Sequence, residues 1–248
     1  MNKPRMLCWF SCGAASAVAA KESLRLYHDT HEVVIINCDT RPSEHADNYR
    51  FFEDCQKWFR QKIVTIRNTK YATVDEVFER ERYMSGIAGA RCTTELKKLP
   101  RHAFARPDDI HVFGFTSDER KRVQSFQERN PELLLRFTLA DLGITKRDCY
   151  ECLAQANIPL PAMYLLGFNN NNCPGCVKAT SRHYWDMVRT LFPDVFKRRC
   201  EQSRAIGCRL TRHKGVRIFL DELPPGPFKT PRKKENLSCG PECGGPIT

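Results

Sequence analysis

Residues 6–16 read Met6-Leu7-Cys8-Trp9-Phe10-Ser11-Cys12-Gly13-Ala14-Ala15-Ser16. Met6–Phe10 is a short apolar run suited to a buried strand. Ala14–Tyr27, rich in Ala, Leu, Lys and Glu, reads as a helix. The turn between them holds only small side chains, so backbone N–H groups can approach an anion closely. A helix N-terminus adds the positive end of its dipole, and the hydroxyls of Ser11 and Ser16 can donate to phosphate oxygens. Neither common phosphate fingerprint is present: there is no GxGxxG and no GxxxxGK(S/T). On spacing alone, a tight packing turn is the plainer alternative.

Outward from this turn, strands and helices alternate. Glu32–Cys38 is β-branched and apolar, a central strand. Ala46–Phe59 sets Phe51, Phe52, Cys55, Trp58 and Phe59 at helical spacing. Lys62–Arg67 reads as a third strand, Thr73–Arg82 as a helix and Ile110–Phe115 as a fourth strand. This order predicts an α/β fold, a parallel sheet with helices on both faces. Ligands of such sheets bind beyond the carboxyl ends of the strands. Ser11–Ser16, Asp39–His45 and Thr116–Arg122 follow three strand ends and are the segments to inspect. The second half is less regular: helices at Thr145–Ala156 and Tyr184–Ala205, the latter interrupted near Pro193, and a last strand at Gly215–Leu220. The expected division is an α/β domain over 1–165 and a helical, Cys-rich region with a basic tail over 166–248.

The chain has 248 residues and 41% hydrophobic content, enough for one large domain. It shows no Gly-X-Y or heptad period, no apolar run near the ~20 residues of a membrane span, and no secretory signal after Lys3 and Arg5. Thirteen cysteines, an odd number, fit metal or thiol chemistry better than a disulfide framework. Cys38, Cys55, Cys200 and Cys208 read as plain structural residues.

Ser11-Cys12-Gly13-Ala14-Ala15-Ser16 resembles the SGGxxS-type pyrophosphate loop of the PP-loop superfamily, with Cys12 in place of the first glycine. Asn37-Cys38-Asp39-Thr40 resembles the strand-end Asp-Thr of its phosphoadenylyl-sulfate reductase branch, where Arg41 replaces the usual Gly. The segment Arg91-Cys92-Thr93-Thr94-Glu95-Leu96-Lys97-Lys98-Leu99-Pro100 is similar to that branch's Lys-Pro-ending segment. Gly114-Phe115-Thr116-Ser117-Asp118-Glu119-Arg120-Lys121-Arg122 is similar to its G-x-R-x-x-E-x-x-x-R loop, with Thr116 for the first Arg. The likeness covers roughly residues 5 to 180 and is nearest to reductase-like proteins of phages and their bacterial hosts.

The resemblance implies an adenine nucleotide alpha-hydrolase-like fold in a cytoplasmic enzyme. Its ligand would be ATP or an adenylyl sulfate, held at Ser11, Cys12, Gly13, Ala14, Ala15, Ser16, Asp39, Thr40, Arg91, Lys97 and Arg122. Asp39 could accept from a ribose hydroxyl or an adenine amino group, or hold Mg²⁺; a helix cap is the plain alternative. Glu119 would orient a basic group or a metal, or else form a surface ion pair. That branch carries a nucleophile in a terminal Glu-Cys-Gly. Glu242-Cys243-Gly244 matches it, although Gly245-Pro246 follow. Cys243, Lys97 and Glu119 are therefore the catalytic candidates.

Cys173-Pro174-Gly175-Cys176 is a CxxC knuckle, and Cys239 with Cys243 offers a second pair. Together they fit tetrahedral zinc or a 4Fe–4S cluster. The resemblance to assimilatory adenylyl-sulfate reductases, whose 4Fe–4S cluster is held by a Cys-Cys pair and a later CxxC, implies Cys92, 81 residues before Cys173, as an alternative third ligand, although Arg91 replaces one member of the pair. Cys149-x-x-Cys152 with the knuckle is a further alternative, although that pair falls in a predicted helix. The formal charge of +11 admits tRNA or DNA as a partner, or else attracts a polyanionic nucleotide. A thioredoxin-like reductant and self-association complete the partner expectations, with no membrane. The reactions expected are adenylyl-sulfate reduction or adenylyl transfer. The alternatives are iron–sulfur-dependent thiolation of a nucleic-acid base, and a non-catalytic nucleotide- or nucleic-acid-binding protein with structural zinc.

Overall fold

The computed structural model describes residues 3–226. Five strands form one parallel sheet: β1 (Arg5–Trp9), β2 (Glu32–Cys38), β3 (Val64–Ile66), β4 (Ile110–Val112) and β5 (Leu134–Arg136). Their spatial order is β3-β2-β1-β4-β5. Arg5 to Trp9 pair in register with Glu32 to Ile36, and Met6 pairs with Ile110 on the other side. The order reverses between β1 and β4, which opens a crevice at their carboxyl ends.

Alternation along β1 sorts its residues between two layers. Met6 and Cys8 join a core with helices α1 (Ala14–Tyr27) and α2 (Asp47–Phe59) and with Cys149 and Leu153. Leu7 and Trp9 lie with Ile36 on the opposite face, beneath Phe104 and Phe113. The expected α/β arrangement, with helices on both faces, is thus the architecture.

Helix α3 (Val74–Glu81) is capped by the Thr73 side chain. Helix α4 (91–104) carries a π-helical turn at Thr94–Lys98. Pro100 explains it: proline has no N–H for the carbonyl of Leu96, and its ring crowds that oxygen. Helices α5 (Arg120–Glu128) and α6 (Lys146–Gln155) follow, then α7 (Arg182–Leu191) and α8 (Pro193–Ile206), which meet at Phe192 as the proline required. The expected last strand is the second arm of a hairpin, β6 (Thr211–His213) and β7 (Val216–Ile218). Its turn residues Lys214 and Gly215 both have positive φ, 48° and 83°.

A second core joins α3 and α4 to the C-terminal part, with Phe78, Leu96, Phe168, Trp185 and Leu220 buried together. Residues on both sides of position 165 therefore share one apolar cluster. Among the described residues no helix is long and apolar enough to cross a membrane.

Candidate functional site

A cavity of about 460 Å³ opens at the crevice between β1 and β4. Its lining includes the loop residues Ser11, Gly13, Ala15 and Ser16. Ser16 Oγ accepts from the Ser11 N–H at 3.1 Å and donates to the Gly13 carbonyl at 2.8 Å; Ser11 Oγ donates to Ser16 Oγ at 3.2 Å. Both hydroxyls thus shape the loop. The first turn of α1 has neither a side-chain cap nor an acidic residue, so its positive end is not neutralised locally. The buried Tyr164 hydroxyl lies close to the loop, 3.5 Å from where a Cβ on Gly13 would sit.

Cys12 sits in the left-handed region at φ 54° and is fully buried, in the conformation that a glycine would adopt with least strain. It does not line the cavity. Two amides hold it: Asn37 Nδ2 donates to the Phe10 carbonyl at 2.9 Å and lies 3.9 Å from Cys12 Sγ, and Asn171 Nδ2 donates to the Cys12 carbonyl at 2.6 Å. Burial pushes the Cys12 thiol well up, so it stays protonated at neutral pH.

The cavity is strongly basic. Lys97, Lys98, Arg101, Arg122, Lys146 and Lys178 line it against a single carboxylate, Glu119. Burial pulls the Lys97 ammonium down, yet the Glu44 carboxylate carries it above its ordinary value. Lys97 therefore remains charged. Arg101 lies over the rings of Phe113 and Trp9 at 5.1 and 5.6 Å. Its Nε is buried with no partner, and burial lowers its pKa. Among the described residues neither Lys97 nor Arg101 forms an ion pair. A desolvated cation without a carboxylate beside it, as Arg101 is, is costly unless an anion joins it.

The remaining expected site residues are placed differently. Asp39 ends β2 but is bound by Arg41 at 2.9 Å and Arg67 at 2.8 Å; burial opposes its ionisation, and the two guanidinium groups hold the carboxyl below the usual range. Thr40 is buried and donates to Glu44 Oε1 at 2.6 Å. Arg91 pairs with Glu81 and Glu95 and lines a separate, smaller cleft. Glu119 forms a capping box with Thr116 and pairs with Arg122; both line the cavity, and Arg122 lies over Phe115 at 4.9 Å.

The Cys173-Pro174-Gly175-Cys176 turn is firmly held. Gly175 has φ 68°, and a Cβ there would meet Val195 at 2.7 Å. Tyr184 Oη accepts from the Cys176 N–H at 2.7 Å and donates to the Cys173 carbonyl at 3.5 Å. Arg199 donates to the Gly175 carbonyl at 3.1 Å and pairs with Asp75 of α3. Burial pushes the Cys173 and Cys92 thiols up. Among the described residues no group of three or more His, Cys, Asp or Glu is arranged to hold a metal ion. The knuckle supplies two thiolates of the four such a site needs, and Cys239 and Cys243 lie outside the described residues. Cys149 belongs to the first core and Cys173 packs on the second, so they do not assemble into a zinc ribbon.

Sequence reasoning did not single out Arg101, Lys178, Tyr164 or Asn171. Arg101 follows Lys97 by four residues, a helical interval that signals a shared face. Cys38, read as plain structure, lines the cavity and lies 3.8 Å from the Lys97 carbonyl. Cys55 is fully buried in the first core. A scan against protein-family models and a search of curated proteins give no match to this chain.

Proposed function

We propose that the chain is a PP-loop enzyme of the phosphoadenylyl-sulfate reductase type. It binds ATP or an adenylyl sulfate at the β1–β4 crevice for sulfur or nucleotidyl transfer. The observation that carries this reading is the presence of Lys97 and Arg101, unpaired among the described residues, in one cavity with loop 11–16 and the uncapped start of α1. A polyphosphate or phosphosulfate supplies the missing negative charge. Lys97, fixed on the π-helical turn, would hold the transferred group, and Arg122 would bind it from the β4 side.

Calorimetric titration with ATP and with adenylyl sulfate tests the site. Binding by one of them, weakened at least roughly tenfold in Lys97→Ala, is expected for a lost charged contact. Pyrophosphate exchange or thiol-dependent sulfite release then assigns the reaction. Absence of binding by both ligands would remove the proposal. The exposed Lys98 and Lys178 on the cavity lining favour, as a second reading, a nucleic-acid acceptor; co-purifying RNA or DNA, released by salt, would distinguish it.

A further inference from the structure

Asn171 lines the cavity, and its hydrogen-bonding polarity is fixed from a distance. Glu44 accepts twice, at Oε1 from Thr40 Oγ1 at 2.6 Å and at Oε2 from Asn48 Nδ2 at 2.7 Å. A carboxylate acting as a double acceptor forces the Asn48 amide nitrogen toward it, so Asn48 presents Oδ1 to Asn171. Asn171 answers with Nδ2, at 2.8 Å, and the same nitrogen donates to the Cys12 carbonyl at 2.6 Å. Both amide hydrogens are then used, and the amide cannot flip without opposing two acceptors.

What Asn171 has left is an acceptor. Its Oδ1 is buried without a partner, the residue is 8% exposed, and it lines the cavity beside loop 11–16. An ionised phosphate, itself an acceptor, is repelled from such an oxygen. A metal cation is disfavoured where six basic side chains face one carboxylate. A neutral O–H or N–H donor fits, and leaving this oxygen unpaired would carry the usual penalty of a buried polar atom.

We propose that Asn171 is a specificity-determining residue that accepts a hydrogen bond from an O–H or N–H donor on the nucleoside part of the ligand. The inference rests on the nucleotide-site reading above. The chemistry is shared by the ribose hydroxyls and the 6-amino group of adenine, and ligand analogues separate them.

The test titrates the full chain with ATP, 2′-deoxy-ATP, 3′-deoxy-ATP and purine riboside triphosphate, which lacks the amino group. One analogue should bind the wild type roughly tenfold more weakly than ATP, the effect of one buried hydrogen bond. In Asn171→Ala that gap should close, ATP falling to the level of the analogue. A purely structural role for Asn171 would weaken all four nucleotides alike and leave the gap open, which overturns the proposal. If the variant fails to fold, the wild-type series still decides, since equal affinity for all four overturns it too. Binding of none of the four, together with no binding of adenylyl sulfate, removes the site reading and this inference together; if adenylyl sulfate alone binds, the same series is run on its deoxy and purine riboside analogues.

Discussion

A Cβ placed on Gly114 would lie 2.6 Å from the amide nitrogen of Ser16. The strand exit after β4 is therefore packed directly against the first turn of α1, backbone to backbone. The neighbouring Cα of Ser16 and carbonyl carbon of Ala15 would be met at 2.7 and 2.8 Å, so no flexible side chain can yield. This contact fixes the loop relative to the far wall of the cavity. Gly114→Ala should destabilise the protein by about 1–3 kcal/mol, the usual cost of overpacking. If loop 11–16 cradles the anion as proposed, nucleotide affinity should fall by roughly tenfold or more, because that backbone is displaced. Thermal melts and calorimetry check both; an unperturbed melt would show that the segments can separate freely.

Cys12 offers a cleaner measurement of loop strain. At φ 54° a side chain costs about 1–2 kcal/mol that glycine does not incur. Cys12→Gly and Cys12→Ala both delete the thiol, and they differ in the remaining Cβ. The glycine variant should be the more stable of the two by about 1 kcal/mol, the reverse of the order in ordinary backbone. Urea unfolding of the pair measures the difference, and an alanine variant as stable as the glycine one would contradict the strained conformation.

Much of this arrangement was readable in the sequence, and the reason is locality. β1, β2 and α1 rest on apolar runs and helix formers that are contiguous, and the loop lies between them. β5 is not legible in the sequence, because Leu134–Arg136 is three residues long with no alternation. The polar relay is illegible for another reason. Thr40, Glu44 and Asn48 are local neighbours, but Asn171 joins them across 123 positions and reaches Cys12 across 159. No spacing rule connects such residues. Asp39 and Arg91 look like ligand contacts in a linear motif, yet the fold supplies each with ionic partners of its own, and neither lines the main cavity.

The buried thiols make stability sensitive to alkali. Burial pushes Cys8 and Cys149 up to about 12 and Cys200 up to about 11. In the unfolded chain a thiol ionises near pH 8.5. Below that pH both states are protonated and the thiols have no linkage effect. Above it the unfolded state releases protons that the folded state keeps, so stability falls as pH rises. Cys8 and Cys149 alone account for up to about 3 kcal/mol per pH unit between roughly pH 9 and 12. Urea midpoints at pH 8, 9 and 10 should decline progressively, and a constant midpoint would argue against burial of these groups.

Arg101 sets stability against binding. Its guanidinium is desolvated over Trp9 and Phe113, and its buried Nε has no partner. An unsatisfied buried polar atom costs about 1–3 kcal/mol, and replacing a buried charge by an apolar chain is often neutral or stabilising. Arg101→Met keeps the apolar stem against the rings and removes the charge. The variant should therefore melt at or above the wild-type temperature while its affinity for the nucleotide falls roughly tenfold or more. Opposite signs in the two measurements mark a residue held for its ligand. A variant that melts lower and binds equally well would make Arg101 a packing residue, and anion binding would rest on the other basic residues of the cavity.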